Sequence, residues 1–353
     1  AGCVSAKSAT TPEGIVADVR ARGDAALQEW ALRLDDAPPA RAVPEPEALP
    51  AEAVEALLEL AGRVRTWHEA QRPAYLRLEV APGVELERRW VALDSVGIYV
   101  PRRLVSTLVM CAVPARVAGV RRVVVATPPS GAGLVAAAAE VLGLEVEVWA
   151  LGGPQAIAAL AYGTETIAPV DKIVGPGGAA VNAAKLAVAR DVSIDLPAGP
   201  SEVVVLATAG ADRCVAELEL VAQAEHGPDS VCRLVEVDGD VEAALAEVER
   251  LAPEHLVLLG EEAEALATRI RNAGAVFVGA SSPVAAGDYA TGANHVLPTG
   301  GRARSVGGLG LETFLKPVTV QRITPDGLAR LRPVVEALAA TEGMTAHAEA
   351  VCR

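Results

Sequence analysis

Residues 122–150 read RVVVATPPSGAGLVAAAAEVLGLEVEVWA. The run 122–126 is short, apolar and rich in β-branched side chains, and Pro128-Pro129 closes it, so it reads as a buried strand. The Ala- and Leu-rich run 132–142 reads as a helix, and 145–150 returns to strand. Strand, helix and strand at this spacing make a βαβ unit, which requires a parallel sheet with helices on its faces. The pattern continues outward: 154–161 reads as helix, 172–174 as strand and 179–189 as helix. A second series follows, with strands at 202–206, 230–235, 256–259 and 275–278. Helices at 212–224, 240–251 and 261–272 alternate with them. Toward the N-terminus, 12–34 and 50–71 show apolar residues at helical spacing, and the Pro- and Ala-rich 36–50 reads as a linker. A Gly-rich run at 299–310 leads into a helical tail.

The expected fold is α/β, with two Rossmann-like parallel-sheet domains, a helical N-terminal part and a short helical C-terminal tail. The expected division is a first α/β domain from 1–99 plus 201–320, an inserted second at 100–200, and a tail at 321–353. The chain's 353 residues exceed one small core, and 51 % hydrophobic content is enough to fill two. Aromatics are only 3 %, so Ala, Val and Leu must build that core. Charges sum to 31 − 45 = −14, which excludes nucleic acid or an anionic membrane as the main partner. No apolar run is long enough for a transmembrane helix, and residues 1–11 lack the pattern of a signal peptide. Five separated cysteines without a Cys-x-x-Cys pair read as buried thiols in a reducing cytoplasm.

Two kinds of residue could carry chemistry. Gly175-Pro-Gly177-Gly178-Ala-Ala180 fits G-x-G-x-x-A between a strand and a helix. Backbone N–H groups there could meet a phosphate, with Asp195 placed for a ribose. The sharper signal is histidine, of which there are five. His68 lies in a polar helix and reads as surface or structural. Gln223 and His226 share one side of a helix end. Glu254-His255 sets a carboxylate beside an imidazole at a strand's edge, a possible acid/base pair. Asp288 and His295 lie in a Gly-bearing loop, and Glu342 and His347 close the chain. His226, Asp288 and His347 together would make an N/O site for Zn²⁺, although each alone also fits capping or surface hydrogen bonding.

Taken together, these segments resemble the histidinol dehydrogenase family. The matching stretches are DVRARGDAAL (18–27), GIYVP (97–101), VPARVAGV (113–120), GGPQAIAALAYGTETIAPVDKIVGPG (152–177), IDLPAGPSE (194–202), AQAEHGPD (222–229), APEHL (252–256), GDYATGANHVLPTGG (287–301) and EGMTAHAEAV (342–351). The resemblance implies a zinc- and NAD-dependent enzyme that oxidises histidinol to histidine through histidinal, within histidine biosynthesis. It implies zinc on Gln223, His226, Asp288 and His347, and acid/base work by Glu254 and His255. It further implies substrate contacts from Ser201, Gln223, His226, His255, Asp288, Glu342 and His347. Tyr99, Gln155 and the position of Gly178 match cofactor contacts. It also implies an intertwined homodimer whose Glu342 and His347 act in the partner's site.

The chain departs from the family pattern in three places. The family reads YVPGG where this chain has Tyr99-Val-Pro101-Arg102-Arg103, with a shorter loop. The family Asn after GPG is Gly178 here. The stretch 227–253 is much shorter. All three lie on the cofactor side or beside it, which leaves two alternatives open: a relative that oxidises another amino or hydroxy alcohol, or a zinc-binding protein without dehydrogenase activity.

Overall fold

The computed structural model describes residues 10–352 apart from Ala198. Residues 1–9, which include Cys3 and most of the stretch read for a leader, lie outside it. The chain forms two compact units. One takes in the chain up to Gln71 and Leu93–Phe314; the other comprises Arg72–Ala92 and Leu315–Arg353.

The first unit carries two sheets. The larger runs in the order Ala40–Arg41, Glu147–Ala150, Arg122–Thr127, Ser95–Tyr99, Lys172–Val174, Ser193–Ile194. It is parallel except at the Ala40–Arg41 edge. The smaller is parallel throughout, in the order Val231–Glu236, Glu202–Ala207, His255–Leu259, Ala275–Val278. Their central strands are buried on both faces, which is why they read as unbroken Val and Ile runs. The helix Val105–Ala118 is buried nearly all round, as its apolar sequence requires.

Several local expectations need correction. The span 12–34 is two helices, Pro12–Arg22 and Asp24–Leu34. Gly23 breaks it at φ +56°, and a Cβ there would meet the Glu165 carboxylate at 2.5 Å. That carboxylate accepts from the Asp24 N–H at 2.8 Å and starts the second helix. The 36–50 linker supplies the edge strand Ala40–Arg41 and a single turn at Pro46–Ala48. Only Ala263–Ala267 of the span 261–272 is helical. Strand Ser95–Tyr99, grouped with the first domain in the sequence-based division, sits inside the six-stranded sheet. Of the four described cysteines only Cys111 is buried, and all are free thiols.

The second unit is an antiparallel sheet, Leu315–Ile323, Val84–Ala92 and Leu76–Ala81, followed by helices Pro325–Thr341 and Thr345–Ala350. Its hairpin turns at Pro82-Gly83, where Gly83 takes φ +77°. The strands at 76–92 and 315–323 were not expected; the tail is a strand before it is helical.

Candidate active site

A cavity of about 940 Å³ opens in the first unit. The two sheets contribute opposite ends to its wall. Pro101, Gly175 and Asp195 follow strands of the six-stranded sheet, whereas Ser201, Ser230 and Glu254 precede strands of the four-stranded sheet. The cavity therefore lies at carboxyl ends of one parallel sheet and amino ends of the other.

His255 and Glu254 meet at the amino end. His255 stands at the strand's end as expected, the first residue of the interior strand His255–Leu259 and in register with Val203. Its ring nitrogen Nδ1 lies 2.9 Å from the Glu202 carbonyl oxygen. A carbonyl only accepts, so Nδ1 carries the proton, and in the neutral ring Nε2 is bare. Nε2 is buried with no hydrogen-bond partner among the described residues, 3.9 Å from Asp288 Oδ1. That is the form a general base needs. Glu254 is buried at 7 % exposure. Its Oε2 accepts from Ser201 Oγ at 2.8 Å and from the Glu202 N–H at 2.9 Å. Burial pushes its carboxyl above the usual carboxylate range, and His255 and these donors pull back.

The expected metal ligands divide between the units. Gln223 is buried at the end of helix Arg213–Ala224, and its Nε2 finds no partner among the described residues. An amide is assigned only up to a flip, so the same position can present Oε1 as a donor to a cation. His226 follows, with Nδ1 3.3 Å from the Gln223 carbonyl, which leaves Nε2 for a ligand. Asp288 lies on the short helix Val284–Tyr289, not in a loop, and lines the cavity with His226. These are N/O donors suited to zinc. They remain an incomplete set: among the described residues no three His, Cys, Asp or Glu side chains enclose an ion position. Glu342, which caps helix Pro325–Thr341, and His347 belong to the second unit, and both are exposed.

The expected cofactor residues are placed differently. Tyr99 is buried, and its hydroxyl accepts from the Gly153 N–H at 3.3 Å. Gln155 is fully buried; its Nε2 donates to Asp35 at 3.0 Å, while Oε1 has no partner among the described residues. Gly178 is the N-cap of helix Ala179–Val188, with open space where a Cβ would stand. Asp195 is not available to a ribose: it accepts from the Gly175 N–H at 2.7 Å and pairs with the buried Lys185. Lys185 also donates to the Gly175 carbonyl at 2.9 Å. The pair thus holds the glycine loop from within. Arg103 sits at φ +61°, a left-handed conformation that glycine adopts freely.

Two carboxylates, Glu202 and Glu219, escaped sequence reasoning, and two histidines named there take specific places. Glu202 carries the hydrogen bonds just described. Glu219, one turn before Gln223 on the same helix face, is buried and accepts from the Val284 N–H at 3.2 Å. That spacing was a usable signal. His295 donates from Nδ1 to the Asp288 carbonyl at 3.1 Å, and its Nε2 meets Thr107 Oγ1 at 3.2 Å. Burial holds its pKa down, so it is a neutral strap. His68, read as surface or structural, is fully buried and bonds the Val64 carbonyl at 2.7 Å.

Parallel sheets flanked by helices, with an imidazole and a carboxyl facing one cleft, define an α/β protein with an acid/base site. The sequence profile of histidinol dehydrogenase matches residues 4–241 and 237–353. The histidinol dehydrogenase of Methanosarcina barkeri is 40 % identical, over 97 % of this chain and 91 % of its own. That of Cereibacter sphaeroides is 44 % identical over 95 % and 89 %. The crystal structure of histidinol dehydrogenase from Elizabethkingia anophelis superposes with a TM-score of 0.89 at 32 % identity, over 97 % of this chain and 90 % of that one. The chain belongs to the histidinol dehydrogenase family. The profile match breaks at 237–241, inside the stretch read as shortened.

Proposed function

We propose that this chain oxidises L-histidinol through L-histidinal to L-histidine, with two hydride transfers to NAD. The observation that carries the reading is the unpartnered Nε2 of His255, a residue that lines the cavity and whose Nδ1 proton is held by the Glu202 carbonyl. Membership of the family supports the substrate.

In the first oxidation His255 Nε2 takes the hydroxyl proton as hydride leaves the carbinol carbon. In the second, Glu254 takes a proton from water as the water oxygen attacks the aldehyde carbon, and the His255 imidazolium returns its proton to the aldehyde oxygen, which gives the gem-diol and frees Nε2 again. The gem-diol then gives up a second hydride and passes a hydroxyl proton to His255. The raised carboxyl of Glu254 suits it to this work near neutral pH. Ser201, Gln223, His226, His255 and Asp288 would contact the substrate. Zinc would be held by Gln223, His226 and Asp288 with a distal His347. Bound there, it would supply a Lewis-acidic anchor for the substrate's nitrogen donors and so lower the cost of aligning the carbinol. Tyr99 and Gln155 would shape the strand ends on which NAD lies, and Gly178 the start of the adjoining helix.

We further propose a homodimer in which Glu342 and His347 act in trans. The second unit supports this: Leu76, Leu78, Val80, Val334 and Leu338 are all more than half exposed, an unusual apolar surface for so small a unit. The free thiols fit a cytoplasmic enzyme of histidine biosynthesis.

The test is zinc-loaded protein with L-histidinol and NAD⁺, read by NADH absorbance and by product analysis. Two NADH per histidine are expected. A second reading, oxidation of another amino alcohol, is favoured by Arg102-Arg103 and by the break in the profile match. Turnover of such an alcohol without turnover of histidinol would replace the first reading with the second.

A further inference from the structure

We infer that Glu202 is the positioning residue for the acid/base pair, holding Glu254, His255 and the 299–301 loop in one register. This rests on the function proposed above. Four contacts converge on this residue. Its N–H donates to Glu254 Oε2 at 2.9 Å, and its carbonyl accepts from His255 Nδ1 at 2.9 Å. Its own carboxylate accepts from the Glu254 N–H at 3.3 Å and from the Gly300 N–H at 2.8 Å. The main chain of Glu202 thus orients both reacting side chains, and its side chain fixes the main chain that bears one of them. Gly300 adjoins Thr299, which lines the cavity and whose hydroxyl accepts from the Gly199 N–H. One carboxylate therefore ties together the loops on either side of the catalytic pair.

The carboxylate adds a charge as well as a tether. It stands close enough to Glu254 to disfavour a second negative charge there, in the same direction as burial. Other charged or titratable groups near the pair are Glu219 from helix Arg213–Ala224, His226 just after it, Asp288 from helix Val284–Tyr289 and His295 beyond it, while Arg233, Arg250 and Arg304 line a smaller pocket with Glu202. None of these bonds the main chain of Glu254. Glutamine at 202 would keep the length but offer one acceptor where two amides need one each, and it would remove the charge.

The experiment compares zinc-loaded wild type with Glu202→Gln, using histidinol and NAD⁺ across a pH series. The expected result is a tenfold or greater loss of kcat with KM for histidinol changed less than threefold. The acid limb should move to lower pH, because removing a like charge lets Glu254 ionise sooner. An unchanged kcat, a loss expressed through KM, or an acid limb that stays in place would overturn the assignment. Should wild type fail to oxidise histidinol, the function proposed above falls. The role of Glu202 is then read from the carboxyl ¹³C titration of Glu254. A midpoint lowered in Glu202→Gln supports it, and an unmoved midpoint overturns it.

Discussion

The two sheets of the first unit offer the cavity opposite things. At the amino ends of the four-stranded sheet, polar groups are left with spare capacity: His255 Nε2 has no partner among the described residues, and Glu254 keeps an oxygen beyond its two donors. At the carboxyl ends of the six-stranded sheet, polar groups are turned inward. Asp195 is taken by Lys185 and Gly175, the Tyr99 hydroxyl by Gly153, and Gln155 by Asp35. Ligands of open α/β sheets ordinarily gather at carboxyl ends. Here that end supplies a scaffold, and the unpartnered imidazole nitrogen and the buried carboxyl come from the other sheet. The departures at Arg102-Arg103 and Gly178 fall on the scaffold side, while the shortened stretch 227–253 includes strand Val231–Glu236 of the four-stranded sheet.

The comparison breaks most sharply at His255. His255→Asn should lower kcat by about 10³- to 10⁴-fold, as loss of a general base does, while metal content by atomic absorption stays unchanged. Loss of the metal with it would make His255 a ligand and dissolve the distinction between the two sides. The inward-turned side is tested by Lys185→Met, which strands Asp195 in the interior. This should cost about 3 kcal/mol of stability or more in denaturant titration. A neutral outcome would mean that the ion pair does not hold the glycine loop. Ser201→Ala sharpens the other side. It removes a donor that favours ionised Glu254, so the carboxyl rises further and the acid limb of kcat moves to higher pH. A shift of roughly half to one pH unit corresponds to one hydrogen bond of about 1 kcal/mol. The smallest effect is expected at Gly178→Asn. Open space at that Cβ admits the side chain, which would cap helix Ala179–Val188 for a few tenths of a kcal/mol and lower KM for NAD⁺. A raised KM would show that the glycine there is itself suited to the cofactor.

The parallel sheets were legible because a strand buried on both faces leaves an unbroken run such as Val123 to Ala126. The antiparallel sheet was legible in principle and was missed. Leu76, Leu78 and Val80 alternate with polar residues, and Pro82-Gly83 marks the turn. The lesson is that period two with exposed apolar positions still means strand. His226, Glu254, His255 and Asp288 stood out from their local sequence settings, their roles came from motif resemblance, and their shared cavity came only from the fold. Spacing alone could not show that Ser201 bonds Glu254 across more than fifty intervening residues, since that contact depends on the pairing of two parallel strands. Nor could it show that Asp195 faces inward, because a ribose acid and a buried ion-pair partner leave the same letter in a sequence.

The oxygen that sets the tautomer of His255 belongs to the main chain of Glu202. Every residue has a carbonyl there, proline included. Genetic drift can therefore strip the charges around the base, and even the Glu202 side chain, without deleting the atom that decides where the imidazole proton sits. A lineage that loses or changes its substrate would still inherit a poised base, a starting point from which a new proton-transfer activity could be selected.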